Sequence, residues 1–523
     1  MKFKLSISSI ILIFVLLLAA FMRLYKIDQY MTFLGDEGRD ALVALGILQG
    51  HFTLLGPRAS AGNFFTGPIY YYMMAPFLWL FHLDPVGPAV MVALFGVATV
   101  ALIYFVGKDF FDKKTGLIAA ALYSVSPLVI TYSHSSWNPN TVPFFSLLTL
   151  YLLYKAVTNV RSWKYYLLVG FLLGICIQLH YISLFLAVIV AVSLFLMHWF
   201  LNNKIQIVPL IKYYLEIFVG FIVGYSPFLA FEVRHGFPNT KTILQFVGSD
   251  TTSKSYETYS AFYQPIADVF FRLFGRLIFD YPAAQFYKNY PLLFLQLFGL
   301  IVIIFAIASI IVLFKNKNKF VVILLATWLV LGVLLFGLYK KPIYDYYLVF
   351  IFPLPFFLVG NLIGRVCDLA KGNLRYGYAL GALLFIAIFG YNIYYQPFQY
   401  PANNQRSQTE DVAKFVIQQI NNQPYNFALL SAGNGNSDYG YIYFLTIYRH
   451  PPVTIQPSSA DPNRTSVTDQ LMVVCEDVGC KPLGNPLWEI AGFGQADVWK
   501  TWNVSVIKVY RMVHVTINNH SSI

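Results

Sequence analysis

Leu34-Gly35-Asp36-Glu37-Gly38-Arg39-Asp40 lies just beyond the first membrane-length apolar run of the chain. Acids are scarce around it. Asp and Glu together number 24 in 523 residues, and all charged residues make up 11%. Hydrophobic residues make up 58%, and the mean hydropathy is +0.60. A soluble protein of that composition would have no polar face to turn to water, so the chain reads as a polytopic α-helical membrane protein. Two adjacent acids at the mouth of such a bundle point to proton chemistry or cation binding at the membrane surface.

Working outward, the run before this stretch covers roughly 5–24 and follows Lys2 and Lys4. No clear small-residue cleavage site comes after it, so it reads as a retained signal anchor with the N-terminus in the cytoplasm. Further runs lie near 86–106, 116–132, 142–157, 165–180, 182–200, 211–231, 291–314, 320–338, 346–364 and 376–395. The expectation is about eleven spans, each near the ~20 residues needed to cross hydrocarbon. Basic residues then separate by side. Lys108, Lys113 and Lys114, then Lys155, Arg161 and Lys164, then Lys315, Lys317 and Lys319 fall in alternate loops, whereas the loops near 133–140 and 180–182 hold no Lys or Arg. That is the positive-inside pattern. It accounts for much of the net charge of +12 and argues against a nucleic-acid partner.

Two outer loops are long, 25–85 and 232–290. The first holds two apolar stretches, 40–49 and 68–82, too short to cross. The transmembrane part is expected to end at residue 395, and 396–523 to form a small extracytoplasmic α/β domain. In it Ser407 and Glu410 have capping-box spacing ahead of Val412, Phe415, Val416 and Ile420, and strand-like runs follow at 426–431, 471–475 and 505–514. Gly433-Asn434-Gly435-Asn436 reads as a turn, since a third glycine for nucleotide binding is missing. Cys176 and Cys367 fall in apolar runs and read as buried thiols. Cys475 and Cys480 lie in the polar region and are able to pair in an oxidising compartment.

Asp36 and Glu37, as neighbours, point about 100° apart on a helix, so they rarely share one task. On local grounds Asp36 serves equally well as the N-cap of a helix 37–48, with Arg39 as its ion-pair partner.

Wider context adds a resemblance. The acidic pair after the first span is followed by Thr66-Gly67-Pro68-Ile69-Tyr70-Tyr71-Tyr72, by Gly107-Lys108-Asp109-Phe110-Phe111, by Thr115-Gly116-Leu117-Ile118-Ala119-Ala120-Ala121, by Ser126-Pro127, and by Ser133-His134-Ser135-Ser136-Trp137. In order and spacing this resembles the GT-C superfamily of membrane glycosyltransferases, in the branch of the protein O-mannosyltransferases and lipid A aminoarabinose transferases. The likeness covers roughly 1–365. It implies a polyprenyl-phosphate sugar as donor, inverting transfer to an acceptor on the outer side, Asp36 as catalytic base with Glu37 beside it, and no metal or other cofactor. The chain lacks the further carboxylate that some relatives carry in the 133–140 loop.

Chemistry supports a base independently. A sugar hydroxyl is a far weaker acid than a carboxyl, so its proton must leave as the new bond forms. The departing lipid phosphate calls for cations. Outer-side candidates for binding substrate are Arg58, Arg234, Lys340 and Lys341, with Tyr344 as a hydroxyl donor; His134 and His180 occupy neighbouring outer loops. The two lysines are exceptions to the positive-inside pattern; interfacial snorkelling is the plainer account of them. His134, His180 and Glu37 are metal-capable types, but their spacing matches no ligand pattern.

Two other functions fit the composition. A lipid or lipid-linked-sugar transporter would carry charges near the midplane of its spans, where this chain has few. A non-catalytic subunit of an envelope-glycan assembly would use 396–523 as its contact module. The acceptor class stays open among protein, lipid and glycan.

Overall fold

The computed structural model describes residues 6–515 except 60–62, 159–162, 249–258, 282–289, 316–318, 340, 369–373, 432–436 and 478. The chain divides into two compact units. One comprises Met1–Tyr25, Phe52–Met73 and Ala89–Pro401; the other comprises Lys26–His51, Met74–Pro88 and Ala402–Ile523.

The first unit is a bundle of apolar helices. Every apolar run read from the sequence falls on a helix. Among the described residues, seven helices are long and apolar enough to cross a bilayer, or nine if two bent pairs each count as one span. The count of about eleven is therefore not reached on this measure. Trp163–Leu179 is apolar but, at 17 residues, shorter than a full crossing, whereas the apolar helix Tyr290–Lys315 has 26 residues. The chain is a multi-pass membrane protein.

One bent pair joins Lys113–Val125 to Pro127–Ser133 at 64°. The cause is Pro127, whose missing N–H leaves the carbonyl of Tyr123 without its helical partner. Buried Arg23 supplies replacements: its Nη2 donates to Tyr123 O at 3.3 Å, and its Nη1 to Ser124 O at 3.0 Å. Gln396 Nε2 donates to Val125 O at 3.0 Å. A cation at a helix C-terminus is also favoured by the aligned peptide dipoles. The other bent pair, Asp345–Ile351 with Pro353–Asp368, turns by 60° at a second proline.

Trp163–Leu179 packs on Ile207–Gly224 backbone to backbone. Gly170 and Gly174 face Gly220 and Gly224, and a Cβ on Gly170 would strike the carbonyl of Ile217, as one on Gly220 would strike that of Leu167. Paired small residues four apart allow this approach where lipid supplies no hydrophobic drive. Cys176 and Cys367 are buried free thiols.

The second unit is built on a four-stranded sheet of order β1-β2-β4-β3, with β1 Asn426–Leu430, β2 Gln470–Cys475, β3 Ala496–Val504 and β4 Ile507–His514. β1 runs parallel to β2 (Ala428 opposite Val473), and β4 runs antiparallel to β2 (Val473 opposite Tyr510). β2 is buried along its whole length, which explains its unbroken Leu-Met-Val-Val sequence. Ala428, Leu471, Val473 and Met512 form its core. Cys475 and Cys480 are bridged, with Cα atoms 6.2 Å apart.

Two sequence readings need correction here. β3 was not anticipated: it is a largely exposed edge strand with a register shift between Val498 and Lys500, so its polar residues obscure the two-residue period. The capping box at Ser407 and Glu410 does not form. The helix Gln405–Gln419 begins three residues earlier, after Asn404. Ser407 Oγ instead donates to Asn404 O, and Glu410 pairs with Arg406 and Lys414 at 2.7 Å each. Gly433–Asn436, read as a turn, lies outside the described residues.

Candidate active site

The acidic stretch opens the helix Gly35–Leu48 in the second unit. Leu34 is its N-cap and contributes no side-chain cap, so Asp36 sits in the first turn rather than capping it. Glu37 does the capping work. Its Oε2 accepts from the backbone N–H of Leu34 at 3.1 Å, and its Oε1 from the Thr32 hydroxyl at 2.6 Å. A glutamate at the third helical position reaches back in this way to an otherwise unpaired N–H. Burial raises the Glu37 pKa, more than these hydrogen bonds lower it.

Asp40, one turn on, is fully buried. Arg39 lies between the two aspartates: Nη1 meets Asp36 Oδ1 at 2.7 Å, while Nη2 and Nε meet Asp40 Oδ1 at 2.7 and 2.9 Å. The Asp36–Arg39 pairing expected from spacing is present. Asp36 is the odd one out among the three acids, since its side chain is 52% exposed and Asp40's is 0%. The stretch thus presents one carboxylate outward and uses the other two inside.

Burial drives the Asp40 pKa to about 7, against the opposing effect of Arg39. An acid whose folded pKa exceeds its unfolded one contributes stability that is fully present below the unfolded value and lost as pH rises through the folded one. The melting temperature is therefore expected to fall as pH rises through about 7, and Asp40→Asn is expected to flatten that fall. Thermal unfolding of both proteins between pH 5 and 9 checks it; parallel curves would remove Asp40 as the cause.

The start of this helix presses on the start of the helix Tyr439–Ile447. A Cβ on Gly38 would lie 2.5 Å from Tyr439 C and 2.6 Å from Gly440 Cα, and one on Gly35 would lie 2.9 Å from Ser437 N. Backbone atoms have little room to yield. Gly38→Ala, which would normally favour a helix, is expected to destabilise by roughly 1–3 kcal/mol. An unchanged melting temperature would mean that the two helices do not meet this closely.

The first unit holds a second polar cluster. Asp345 accepts from Arg272 Nη1 at 2.7 Å and from Arg276 Nη2 at 3.0 Å. Arg272 also pairs with Asp268 at 2.9 Å, and Asp268 accepts the Tyr259 hydroxyl at 2.6 Å. Both arginines lie on one π turn, Arg272–Arg276, a geometry concentrated at functional sites. Next to Asp345 in sequence is a cluster of rings. Tyr346 packs on Trp137 at 4.4 Å, on Tyr347 at 4.7 Å and on Tyr344 at 5.6 Å, and His180 stacks on Tyr181 at 4.7 Å and approaches Tyr346 at 5.8 Å.

The sequence candidates divide accordingly. His180 and Tyr344 belong to this aromatic cluster. Burial lowers the His180 pKa to about 3 and the His134 pKa to about 4, so both rings are neutral near pH 7 and neither is a cation for phosphate. His134 packs on Phe398 and bonds Ile130 O at 2.8 Å. Arg58 is exposed on a short hairpin, bridged to Phe65. Arg234 is exposed in the last turn of Ser226–His235. Lys341 is half-buried, and Lys340 lies outside the described residues. Arg272, Arg276 and Asp345 were not singled out from sequence. The one available signal was that 232–290 turns basic and aromatic in its second half. Among the described residues, no three His, Cys, Asp or Glu side chains gather as a shared ion requires.

Residues 66–231 match the family profile described as dolichyl-phosphate-mannose-protein mannosyltransferase. No curated protein matches the chain by sequence. Among solved structures, ArnT from Cupriavidus metallidurans in the apo state is similar at a TM-score of 0.60 and 12% identity, over 96% of this chain and 97% of that one. The same protein bound to undecaprenyl phosphate is similar at 0.57 and 13% identity, with the same coverage. The Archaeoglobus fulgidus oligosaccharyltransferase in its apo form is similar at 0.55 and 13% identity, over 86% of this chain and 65% of that one. By its fold over nearly its whole length, and by sequence over 66–231, the chain resembles the GT-C membrane glycosyltransferases of the ArnT and protein mannosyltransferase branch.

Proposed function

We propose that this protein transfers a sugar from a polyprenyl-phosphate donor to an acceptor hydroxyl at the outer face of the membrane, with inversion. The observation that carries the reading is the exposed Asp36 carboxylate, oriented by Arg39 and set apart from the buried Glu37 and Asp40. In the reaction the acceptor oxygen attacks the anomeric carbon, and its proton passes to Asp36. The bond from that carbon to the phosphate oxygen breaks, and the electron pair leaves with the lipid phosphate. Glu37 positions the helix start and does not touch substrate. Within the first unit taken by itself, Arg272 and Arg276 are better built to hold an anion than Arg58 or Arg234, because Asp345 and Asp268 fix the guanidinium planes while each retains further N–H donors. His180 and Tyr344 supply ring faces and polar atoms for sugar or prenyl contact.

The donor class is supported by two relatives: one solved structure holds undecaprenyl phosphate, and the matching family is described by dolichyl-phosphate-mannose. The Cys475–Cys480 bridge supports an oxidising, extracytoplasmic location for 396–523, and the basic loops support a cytoplasmic N-terminus. The test is mass spectrometry of lipid-linked sugars and envelope glycans with and without the gene. An accumulating polyprenyl-phosphate sugar together with a missing glycan mass is expected. Unchanged pools of both would overturn the proposal.

A further inference from the structure

Glu232, in the first unit, is a carboxylate that the transfer reaction leaves without a role. It is fully buried near the end of the helix Ser226–His235. Its Oε1 accepts from the Asn239 N–H at 3.1 Å and from Asn239 Nδ2 at 2.9 Å. Its Oε2 accepts from the Thr240 N–H and hydroxyl at 2.7 Å each. The carboxylate thus ties down the start of the next helix, Pro238–Gly248. The backbone carbonyl of Glu232 takes the Gly236 and Phe237 N–H groups in the turn between the two helices. Gly236 and Phe237 both lie in the left-handed region, at φ 73° and 62°. For Phe237 that conformation is costly, and it persists only where the surroundings enforce it.

What Glu232 holds reaches further. Asn239, itself buried, accepts with Oδ1 from the Phe65 N–H at 2.8 Å. Phe65 belongs to the hairpin that carries Arg58, closed by Gly56 N–H to Thr66 O and Thr66 N–H to Pro57 O at 2.9 Å each. Asn239 therefore supplies the acceptor that the Phe65 N–H needs from outside the hairpin. The hairpin and its exit meet the 178–181 segment twice. Phe64 packs edge-on against Tyr181 at 5.7 Å, and a Cβ on Gly67 would strike the side chain of Gln178. Tyr181 in turn stacks on His180. Gln178 Nε2 donates back to Gly224 O at 2.6 Å, at the end of the helix just before Ser226–His235. The His180 side of the aromatic cluster thus sits in a closed circuit of contacts that runs through Asn239 and Glu232.

We infer that Glu232 is a positioning residue. Through Asn239 and the hairpin it sets the Tyr181 ring and with it His180, whose contact with donor rests on the transfer reaction proposed above. The Ile182 N–H donates to His180 Nδ1 at 3.3 Å, so its hydrogen exchange reports where that ring lies. Asn239→Ala keeps the backbone N–H bonds to Glu232 and removes the link to Phe65. Glu232→Gln turns one of the two acceptor oxygens into a donor facing donors. In each variant, exchange in the peptide holding Ile182 is expected to quicken about tenfold, read by mass spectrometry on the full-length protein in detergent. Affinity for undecaprenyl-phosphate mannose is expected to fall by a similar factor, while single-turnover release of undecaprenyl phosphate at saturating probe stays near the wild-type rate. A merely structural role would lower the active fraction and leave the affinity of the remainder unchanged. Phe64→Ala is expected to weaken binding as Asn239→Ala does, and the double variant to add little, since both cut one route. Additive losses would overturn the inference, as would wild-type exchange at Ile182 in both Asn239→Ala and Glu232→Gln. A wild type that fails to bind the probe would sink the transfer reaction alone, and the exchange result would still decide whether Glu232 acts on His180.

Discussion

Asp36→Asn is expected to lower turnover by about 10²–10⁴-fold, the usual contribution of a positioned general base, and to leave donor affinity and melting temperature near their wild-type values. The substitution is nearly isosteric. Its amide oxygen still accepts from Arg39, whose other contacts to Asp40 are untouched. The side chain is about half exposed, so no buried group loses a partner. What disappears is the capacity to take a proton. Release of polyprenyl phosphate in a single turnover, with donor binding measured separately, isolates that loss. Glu37→Gln makes the contrasting case. Its effect is expected mainly on stability, because Glu37 ties the Leu34 N–H and the Thr32 hydroxyl at the start of the helix. A wild-type rate in Asp36→Asn would remove the base from Asp36.

Asp345→Ala is expected to destabilise the protein by roughly 3–5 kcal/mol, the usual consequence of stripping one partner from a buried ion pair. The side chain of Asp345 is only 9% exposed, and that of Arg272 only 17%. Both carboxylate oxygens are used, one by each arginine. Asp268 continues to hold Arg272, but Arg276 loses its anchor, so donor affinity is expected to fall with stability. Asp345→Asn, which keeps an acceptor, is expected to lie between. Thermal unfolding in detergent together with a binding titration of the donor checks both parts. Full stability in Asp345→Ala would mean that the arginines do not depend on this carboxylate.

Much of the architecture was legible because bilayers impose a coarse rule. Every apolar run met a helix, since a run of about twenty apolar residues has few other ways to satisfy its backbone in hydrocarbon. The buried strand β2 was legible for a similar reason, as were the main parts of β1 and β4. Exact termini were not. The start of β4 lies two residues later than read because Ser505 adopts a left-handed conformation in the hairpin, at φ 55°. The number of crossings was not settled by run length, since seven to nine spans among the described residues meet the length and hydropathy measure and the remaining apolar runs fall on helices that do not.

The acidic pair shows where local reading ends. Its position, its helix and the Asp36–Arg39 ion pair follow from sequence, because helical spacing places residues three apart together. Nothing local distinguishes the exposed Asp36 from the buried Asp40 or assigns capping to Glu37. Those roles follow from Gly35 and Gly38 pressing the helix start onto residues some four hundred positions later.

The amino-acid order alone therefore determined that this is a helical membrane protein with an α/β unit toward its C-terminus and with few acids in its spans. Hydropathy and helical periodicity are properties of neighbouring residues, and they need no knowledge of what packs against them. Only the tertiary structure decided which carboxylate faces outward, that Arg23 completes a helix broken at Pro127, and that Arg272 and Arg276 share Asp345. Exposure, ion pairing and pKa depend on groups brought together from distant parts of the chain, and that information exists only once the backbone has folded.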